Sequence, residues 1–220
     1  MSLSSATGAA FVPRFVNLKP SKKNMKNKPT NILLVGVGGQ GIILASEIMS
    51  DVFLEAGFDV KKSEVHGMAQ RGGSVSTHVR FGPKVYSPLI KEGEVDILLA
   101  FEELEALRYL HFLSPQPVII LNQERLKPPS VSLGNELYPE NIDERLSERA
   151  KELRKVPGRE LAVQAGDVRS LNTVLLGTLS GTLDIPEKIW TEKILGRFPE
   201  KAKPINLRAF QLGRSLAVGA

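Results

Sequence analysis

Gly36, Gly38 and Gly41 stand in the spacing G-x-G-x-x-G, directly after the apolar run Ile32 to Val35 and directly before a stretch of helical periodicity. Glycine reaches positive φ and lets the backbone approach an anion, and the free N–H groups of a helix beginning near Gln40 add partial positive charge. Together with Gly39 and Gln40, these residues form a candidate cradle for a phosphate-type ligand. The same turn would also serve a purely steric purpose, using glycine only so that strand and helix can pack.

A second chemistry-bearing stretch is VHGMAQRGGS, Val65 to Ser74. It has no hydrophobic period, and its three glycines surround Gln70 and Arg71, which predicts a loop leaving a strand at the same edge as the first turn. Arg71 can grip a carboxylate or phosphate through two N–H groups, while Gly72 and Gly73 keep side chains out of the way; the alternative is a solvated arginine in a flexible turn. Glu64 lies about twenty residues past the glycine turn, where a dinucleotide-binding fold places the acid that holds a ribose, and Asp59 fits that position less well. His66, His78 and His111 are too scattered for metal-ligand spacing. Arg169 and Asn172 sit three apart on a later helical stretch and share a face, as surface or interface residues.

The elements that must position these residues alternate. Ile32 to Val35 reads as a strand buried on both faces. Ile42, Ala45, Ile48, Met49, Val52, Phe53 and Ala56 then recur at helical spacing, with Gly57 where a C-cap glycine belongs. Phe58 to Glu64 predicts a second strand, the pair opening a right-handed βαβ unit. Val75, Thr77, Val79 and Phe81 alternate in a strand that Gly82-Pro83 would turn toward Val85 to Ser87, an antiparallel hairpin on an otherwise parallel sheet. Val95 to Phe101 is another buried strand, then a helix from Glu102 to Phe112 with Leu104, Leu107 and His111 on one face, then a strand from Pro117 to Asn122. Gln123 to Pro139 predicts a surface excursion with at most a short strand at Val131 to Leu133. Helical spacing returns at Ile142, Leu146, Ala150 and Leu153, at Val168 to Leu179 behind the N-cap Asp167, and over Pro186 to Leu195 and Pro204 to Ala217. The fold class expected is α/β in three layers: a Rossmann-like, mostly parallel sheet with an antiparallel hairpin and helices on both faces.

Composition excludes several classes. The chain has 220 residues and no cysteine, which rules out disulfides, thiolate zinc sites, a cysteine nucleophile and iron–sulfur clusters ligated by this chain. No apolar run approaches the roughly 18 residues that span a bilayer, so no membrane insertion is expected. The net charge is +5, yet Arg14, Lys19, Lys22, Lys23, Lys26 and Lys28 lie within the first thirty residues, which hold no acid. The remainder carries 23 basic against 24 acidic side chains. Nucleic acid is therefore not an expected partner. Residues 1 to 30 read as a disordered basic extension of no catalytic use, with Met25 an alternative start, and residues 31 to 220 as one domain.

GVGGQGI at Gly36, EVHGMAQRGGSV at Glu64 followed by HVRFG, YSPLI at Tyr86, DILLAFE at Asp96 and GDVRSLNTVLLG at Gly166 occur in this order. Together they resemble the gamma-type domain of the 2-oxoacid:ferredoxin oxidoreductases, over about residues 31 to 216. In the wording HGMAQRGG the chain is most similar to the beta subunits of indolepyruvate:ferredoxin oxidoreductases. The resemblance implies a cytoplasmic enzyme complex that oxidatively decarboxylates an aromatic 2-oxo acid such as indolepyruvate, passes the acyl group to coenzyme A and sends electrons to ferredoxin. It implies a large partner subunit holding thiamine diphosphate and the iron–sulfur clusters, with coenzyme A and thiamine diphosphate at a shared site and none of them held by this chain alone. On that reading Gly36, Gly38, Gly39, Gln40, Gly41, Glu64, Gln70, Arg71, Gly72 and Gly73 contact cofactor, His66, Arg169 and Asn172 meet the partner or support the site, and no residue of this chain does the bond-making. Alternatives are a stand-alone nucleotide-binding regulator, a gamma subunit for pyruvate, 2-oxoglutarate or 2-oxoisovalerate, and, for the isolated chain, a homodimer.

Overall fold

A computed structural model describes residues 28–66 and 72–218. The basic extension lies almost wholly outside the described residues, as do Gln70 and Arg71 and the side chain of His66. Six strands, β1 (Thr30–Val37), β2 (Asp59–His66), β3 (Ser74–Gly82), β4 (Val95–Ala100), β5 (Leu113–Asn122) and β6 (Glu152–Val156), form one sheet in the order β2-β3-β1-β4-β5-β6. Only β3 runs against the others. Among the described residues there are eight α-helices: α1 (Ile42–Glu55), α2 (Glu103–Arg108), α3 (Pro129–Ser132), α4 (Ile142–Arg149), α5 (Gly158–Ala165), α6 (Leu171–Ser180), α7 (Glu187–Gly196) and α8 (Lys203–Val218). None of the described helices is long and apolar enough to cross a membrane.

Why β1 sits in the middle follows from its side chains. Alternate residues of a strand point to opposite faces. Ile32 and Leu34 enter a core with α1, α6, α7 and α8, while Leu33 and Val35 enter a second core with residues of α2 and α4. The continuous apolar run is thus two half-cores written in alternation, and the expected three-layer α/β architecture is present. Phe53 of α1 stacks on Phe81 of β3 with ring centroids 4.0 Å apart and meets Trp190 of α7 edge-on at 6.0 Å, which fixes helix α1 against the sheet.

The structure corrects the expected connectivity at several points. β1 and β2 are parallel but not neighbours: β3 lies between them, antiparallel to both. The hairpin is therefore β2–β3, closed by the glycine-rich loop, and not a return of β3 onto Val85 to Ser87, which forms no strand. Prolines 83 and 88 remove two ladder donors there. Side chains bond the segment instead: Asp59 accepts from the Val85 N–H (2.9 Å), and Arg80 donates to the carbonyls of Ser87 and Leu89 (both 3.0 Å). Val131 lies in the short helix α3, opened by Pro129 at its first position, with Leu133 as its C-cap. Leu153 belongs to β6, which the apparent helical spacing from Ile142 concealed, and α5 was not foreseen at all. The helix expected over Glu102 to Phe112 is α2 followed by a 3₁₀ turn at Leu110–Phe112, and its buried face carries Glu103, Glu105 and Ala106.

His78 on β3 is buried, and its Nδ1 accepts the Ile90 N–H at 3.2 Å. Burial, and then the charge of Arg80, hold its pKa below the ordinary 6.5. The unfolded chain therefore takes up a proton near that pH which the folded chain declines, so the stability from the neutral ring is complete above it and drains away as pH falls. The melting midpoint is expected to drop between about pH 7 and about pH 5.5, and His78→Gln to flatten that part of the slope. Thermal melts across that window check it; parallel curves for the two proteins would refute it.

Candidate functional site

The two glycine bends meet. The Gly38 N–H donates to the carbonyl of Gly73 at 2.8 Å and the Gly72 N–H donates to the carbonyl of Gly38 at 3.3 Å. These bonds carry the antiparallel β1–β3 pairing, in which Val37 faces Ser74, one step further into the two bends. A cleft of about 470 Å³ opens beside the junction, lined by Val37, Gly38, Gly39, Gly41, Ile42, Ile43 and Val75.

The cleft's polar character comes from backbone. The first intrahelical bond of α1 is from the Ala45 N–H to the Gly41 carbonyl (3.1 Å), so Ile42, Ile43 and Leu44 begin the helix with free donors. The N–H groups of Gly39 and Gly41 have no partner among the described residues either. No acidic residue occupies the first turn, and no carboxylate lines the cleft. Donors, helix dipole and apolar walls suit an anionic group carried on an apolar stem.

Gly41 is the helix N-cap, with φ 75° in the left-handed region. A Cβ there would lie 2.3 Å from the side-chain amide nitrogen of Asn172, which donates to the Gly41 carbonyl at 3.2 Å. Asn172 on α6 thus braces the turn from the far end of the chain, with no side-chain cap to help it. Arg169 does not join it: in the 3₁₀ turn before α6 it is exposed and pairs with Asp167 (2.6 Å). The face the two residues were expected to share is split by that 3₁₀ turn.

Gln40, expected at a cofactor, has both ends of its side-chain amide engaged within the chain. Its Oε1 accepts the Val37 N–H (2.7 Å), and its Nε2 donates to the carbonyl of Phe101 (3.0 Å) and to Glu124 (3.3 Å). Gly36 makes room for this, since a Cβ at that position would sit 2.6 Å from Gln40 Oε1 and 2.8 Å from Phe101 Cβ. Gln40 therefore staples the glycine turn to the carboxyl ends of β4 and β5. Glu64 is misplaced for a ribose: it is on β2, the edge strand, paired with Lys62 at 2.7 Å, with all of β3 between it and β1. The intervening antiparallel strand removes the side-by-side β1–β2 geometry that a dinucleotide acid requires.

Sequence reading missed a group of carboxylates at this same edge. Glu102, Glu103 and Glu105 are buried at the end of β4. Glu102 caps α2 by accepting the Glu105 N–H at 2.8 Å, Glu103 pairs with Arg125 at 2.6 Å, and Glu105 accepts from Ser74 and from Arg108. Burial pushes the Glu105 carboxyl up, against the pull of Ser74 and Arg108. Ser74 follows Gly73 directly, so Glu105 holds the outgoing end of the second bend. The available signal was position: carboxyl ends of strands face the crevice in open α/β sheets, and FEELE begins at one.

Comparison with known proteins agrees with this architecture. The family model described as pyruvate ferredoxin/flavodoxin oxidoreductase matches residues 31–216. The subunit IorB of indolepyruvate oxidoreductase from Archaeoglobus fulgidus is 43% identical over 197 residues, covering 86% of this chain and 95% of that relative. The gamma subunit of a keto/oxoacid ferredoxin oxidoreductase from Geobacter sulfurreducens superposes with a TM-score of 0.65 at 25% identity, covering 87% of this chain and 99% of that one. The 2-oxoglutarate:ferredoxin oxidoreductase from Magnetococcus marinus, solved with 2-oxoglutarate, coenzyme A and succinyl-CoA, shares the fold with a TM-score of 0.69 at 24% identity, over 89% of this chain and 32% of that one. With the match running through both glycine bends and into α8, the chain belongs to the pyruvate ferredoxin/flavodoxin oxidoreductase family.

Proposed function

We propose that this chain is the small, cluster-free subunit of an indolepyruvate:ferredoxin oxidoreductase, and that its glycine cleft forms one wall of a coenzyme A site completed by a larger, thiamine- and cluster-bearing subunit. The observation that carries this is the fusion of the two bends through Gly38, Gly72 and Gly73, which makes a single donor-lined cleft out of two segments more than thirty residues apart. The naming of the Archaeoglobus relative supports the oxo acid, and its standing as a subunit supports the partner. A regulator reading loses its ribose ligand with Glu64 on the edge strand.

The residues fit an anionic cofactor group. Backbone donors of Gly39, Gly41, Ile42 and Ile43 would hold it, and Val37 and Val75 would line an apolar arm. Thiamine diphosphate supplies the carbanion chemistry and the clusters carry the electrons; the absence of cysteine leaves the clusters to the partner. This chain's work is to bind, orient and exclude water.

In sequence Arg71 immediately precedes Gly72, whose N–H bonds Gly38, and our reading gives it the anionic group of cofactor or substrate. Arg71→Ala is expected to raise the KM for coenzyme A or for the oxo acid about tenfold or more in the assembled complex, with kcat little changed. Steady-state kinetics on the co-purified complex test this, and an unaltered KM for both would overturn the role.

A further inference from the structure

We infer that Glu105 is a positioning residue for the glycine cleft. Acting through the Ser74 hydroxyl, it sets where the Gly73 carbonyl and the Val75 side chain stand, and so how tightly the assembled enzyme holds coenzyme A, a role that rests on the cleft reading proposed above and deepens it.

The route of the bond comes first. Ser74 opens β3, Glu105 lies in α2 just after β4, and β3 and β4 are the two neighbours of β1. The Ser74 hydroxyl donates to one Glu105 oxygen at 2.5 Å, so the pair bridges the strands on either side of β1 at its carboxyl end. The residues flanking Ser74 both belong to the cleft: Gly73 supplies the carbonyl that the Gly38 N–H reaches at 2.8 Å, and Val75 lines the cleft wall. Successive strand residues point to opposite faces, so a grip on Ser74 from the α2 side fixes the direction of Val75 on the α1 side. Gln40 ties the first glycine bend to the ends of β4 and β5; the Ser74–Glu105 pair is the corresponding tie of the second.

The anchor itself is rigid. Glu105 is 3% exposed, its N–H donates to the Glu102 carboxylate at 2.8 Å, and its other oxygen accepts from Arg108 at 2.9 Å. Glu102 is held in turn by the Leu126 N–H at 3.1 Å and the Tyr138 hydroxyl at 2.7 Å. A carboxylate in the first turn of a helix is also favoured by the helix dipole. A group with no freedom of its own transmits position to whatever it holds, which is what a supporting shell must do.

Stability does not account for the pair. β1 and β3 are aligned over eight residues, from Thr30 against Phe81 to Val37 against Ser74, so β3 needs no side-chain tie to stay in the sheet. A buried carboxylate contributes little, since replacing a buried ion pair by well-packed apolar groups is often neutral or stabilising. Arg108, the cation paired with Glu105, is itself half exposed. What the bond adds is geometry at the bend.

The test takes the full chain alone and the complex co-purified with its larger subunit. Amide exchange at Gly38 in the full chain reads the junction of the bends, and calorimetry with coenzyme A in the complex reads the cleft. Ser74→Ala and Glu105→Met are each expected to speed exchange at Gly38 about tenfold and to raise the dissociation constant for coenzyme A about tenfold, with melting midpoints within a few degrees of wild type. Ser74→Thr, which keeps the hydroxyl on a side chain suited to a strand, should restore both readings. Thr178→Ala removes a hydroxyl bonded to the Gly213 carbonyl and is the control for stability alone: its midpoint should fall while Gly38 exchange and coenzyme A binding stay as in the wild type. Unchanged Gly38 exchange in Ser74→Ala and Glu105→Met overturns the inference. So does faster exchange with unchanged coenzyme A binding, which would leave the pair a structural tie only. A wild-type complex that binds no coenzyme A defeats the cleft reading itself, and the positioning role with it.

Discussion

Gly41→Ala is expected to cut kcat/KM of the assembled enzyme about 100-fold while lowering the melting midpoint by only a few degrees. Alanine at φ 75° meets a steric cost of about 1–2 kcal/mol, and its Cβ would press on the Asn172 amide, 2.3 Å away. That amide is the end of a mobile side chain, so the fold can yield by moving it. The turn cannot yield so cheaply. Relaxing Gly41 toward negative φ swings its own N–H and those of the first turn of α1 away from the cleft, and a displacement of about 1 Å in a positioning group costs on the order of 10²-fold in rate. Adding Asn172→Ala should recover part of the stability and none of the activity. Steady-state kinetics and thermal melts on the same co-purified complex decide the matter; kcat/KM within threefold of wild type would remove the cleft from the site.

The largest expected effect on stability is at Gly213→Ala, where α8 packs on α6. A Cβ there would come 1.9 Å from the carbonyl oxygen of Val174 and 3.1 Å from the backbone nitrogen of Thr178 on α6. The contact is reciprocal, for a Cβ at Gly177 would meet the Phe210 carbonyl oxygen of α8 at 2.2 Å. These are backbone atoms, so no rotamer change relieves them. The two helices must move apart, breaking the bond from the Thr178 hydroxyl to the Gly213 carbonyl (3.0 Å) and loosening the core around Phe210. The gain in helix propensity, about 1 kcal/mol, is outweighed by an overpacking cost of roughly 3 kcal/mol or more. A fall in the melting midpoint of about 5–10 °C follows. Gly196→Ala, with nothing within 4 Å of the new carbon, is the control that should leave the midpoint unchanged or raise it. Coincident melts for Gly213→Ala and wild type would show that the α6–α8 packing described here is wrong.

What the chain reveals on reading and what it withholds divide along a physical line. β1, α1, β5, α7 and α8 are legible because periodicity records burial, and Asp167 was legible as a cap because its chemistry is local: it accepts the Arg169 N–H in the first turn it opens. Sheet order was not legible, because whether β3 or β2 lies against β1 depends on pairings with no local signal. With that order went the reading of Glu64. The roles of Gln40 and Asn172 were hidden for a related reason: each acts through carbonyls remote in sequence, Phe101 and Gly41, and a glutamine beside glycines looks the same whether it faces a ligand or folds inward. The buried glutamates were masked by their type, since burial of a carboxylate is only affordable once Arg108, Arg125, Ser74 and Tyr138 have been brought to it.

The insertion of β3 beside β1 also sets a timetable. On the ribosome, β1 and α1 emerge first, yet the strands that flank β1 begin only at Ser74 and Val95. At ~5–20 residues per second, the apolar run from Ile32 to Val35 waits seconds with both edges unpaired. A nascent chain stalled before Ser74 would therefore offer a sticky ribbon to chaperones or to its neighbours on a polysome.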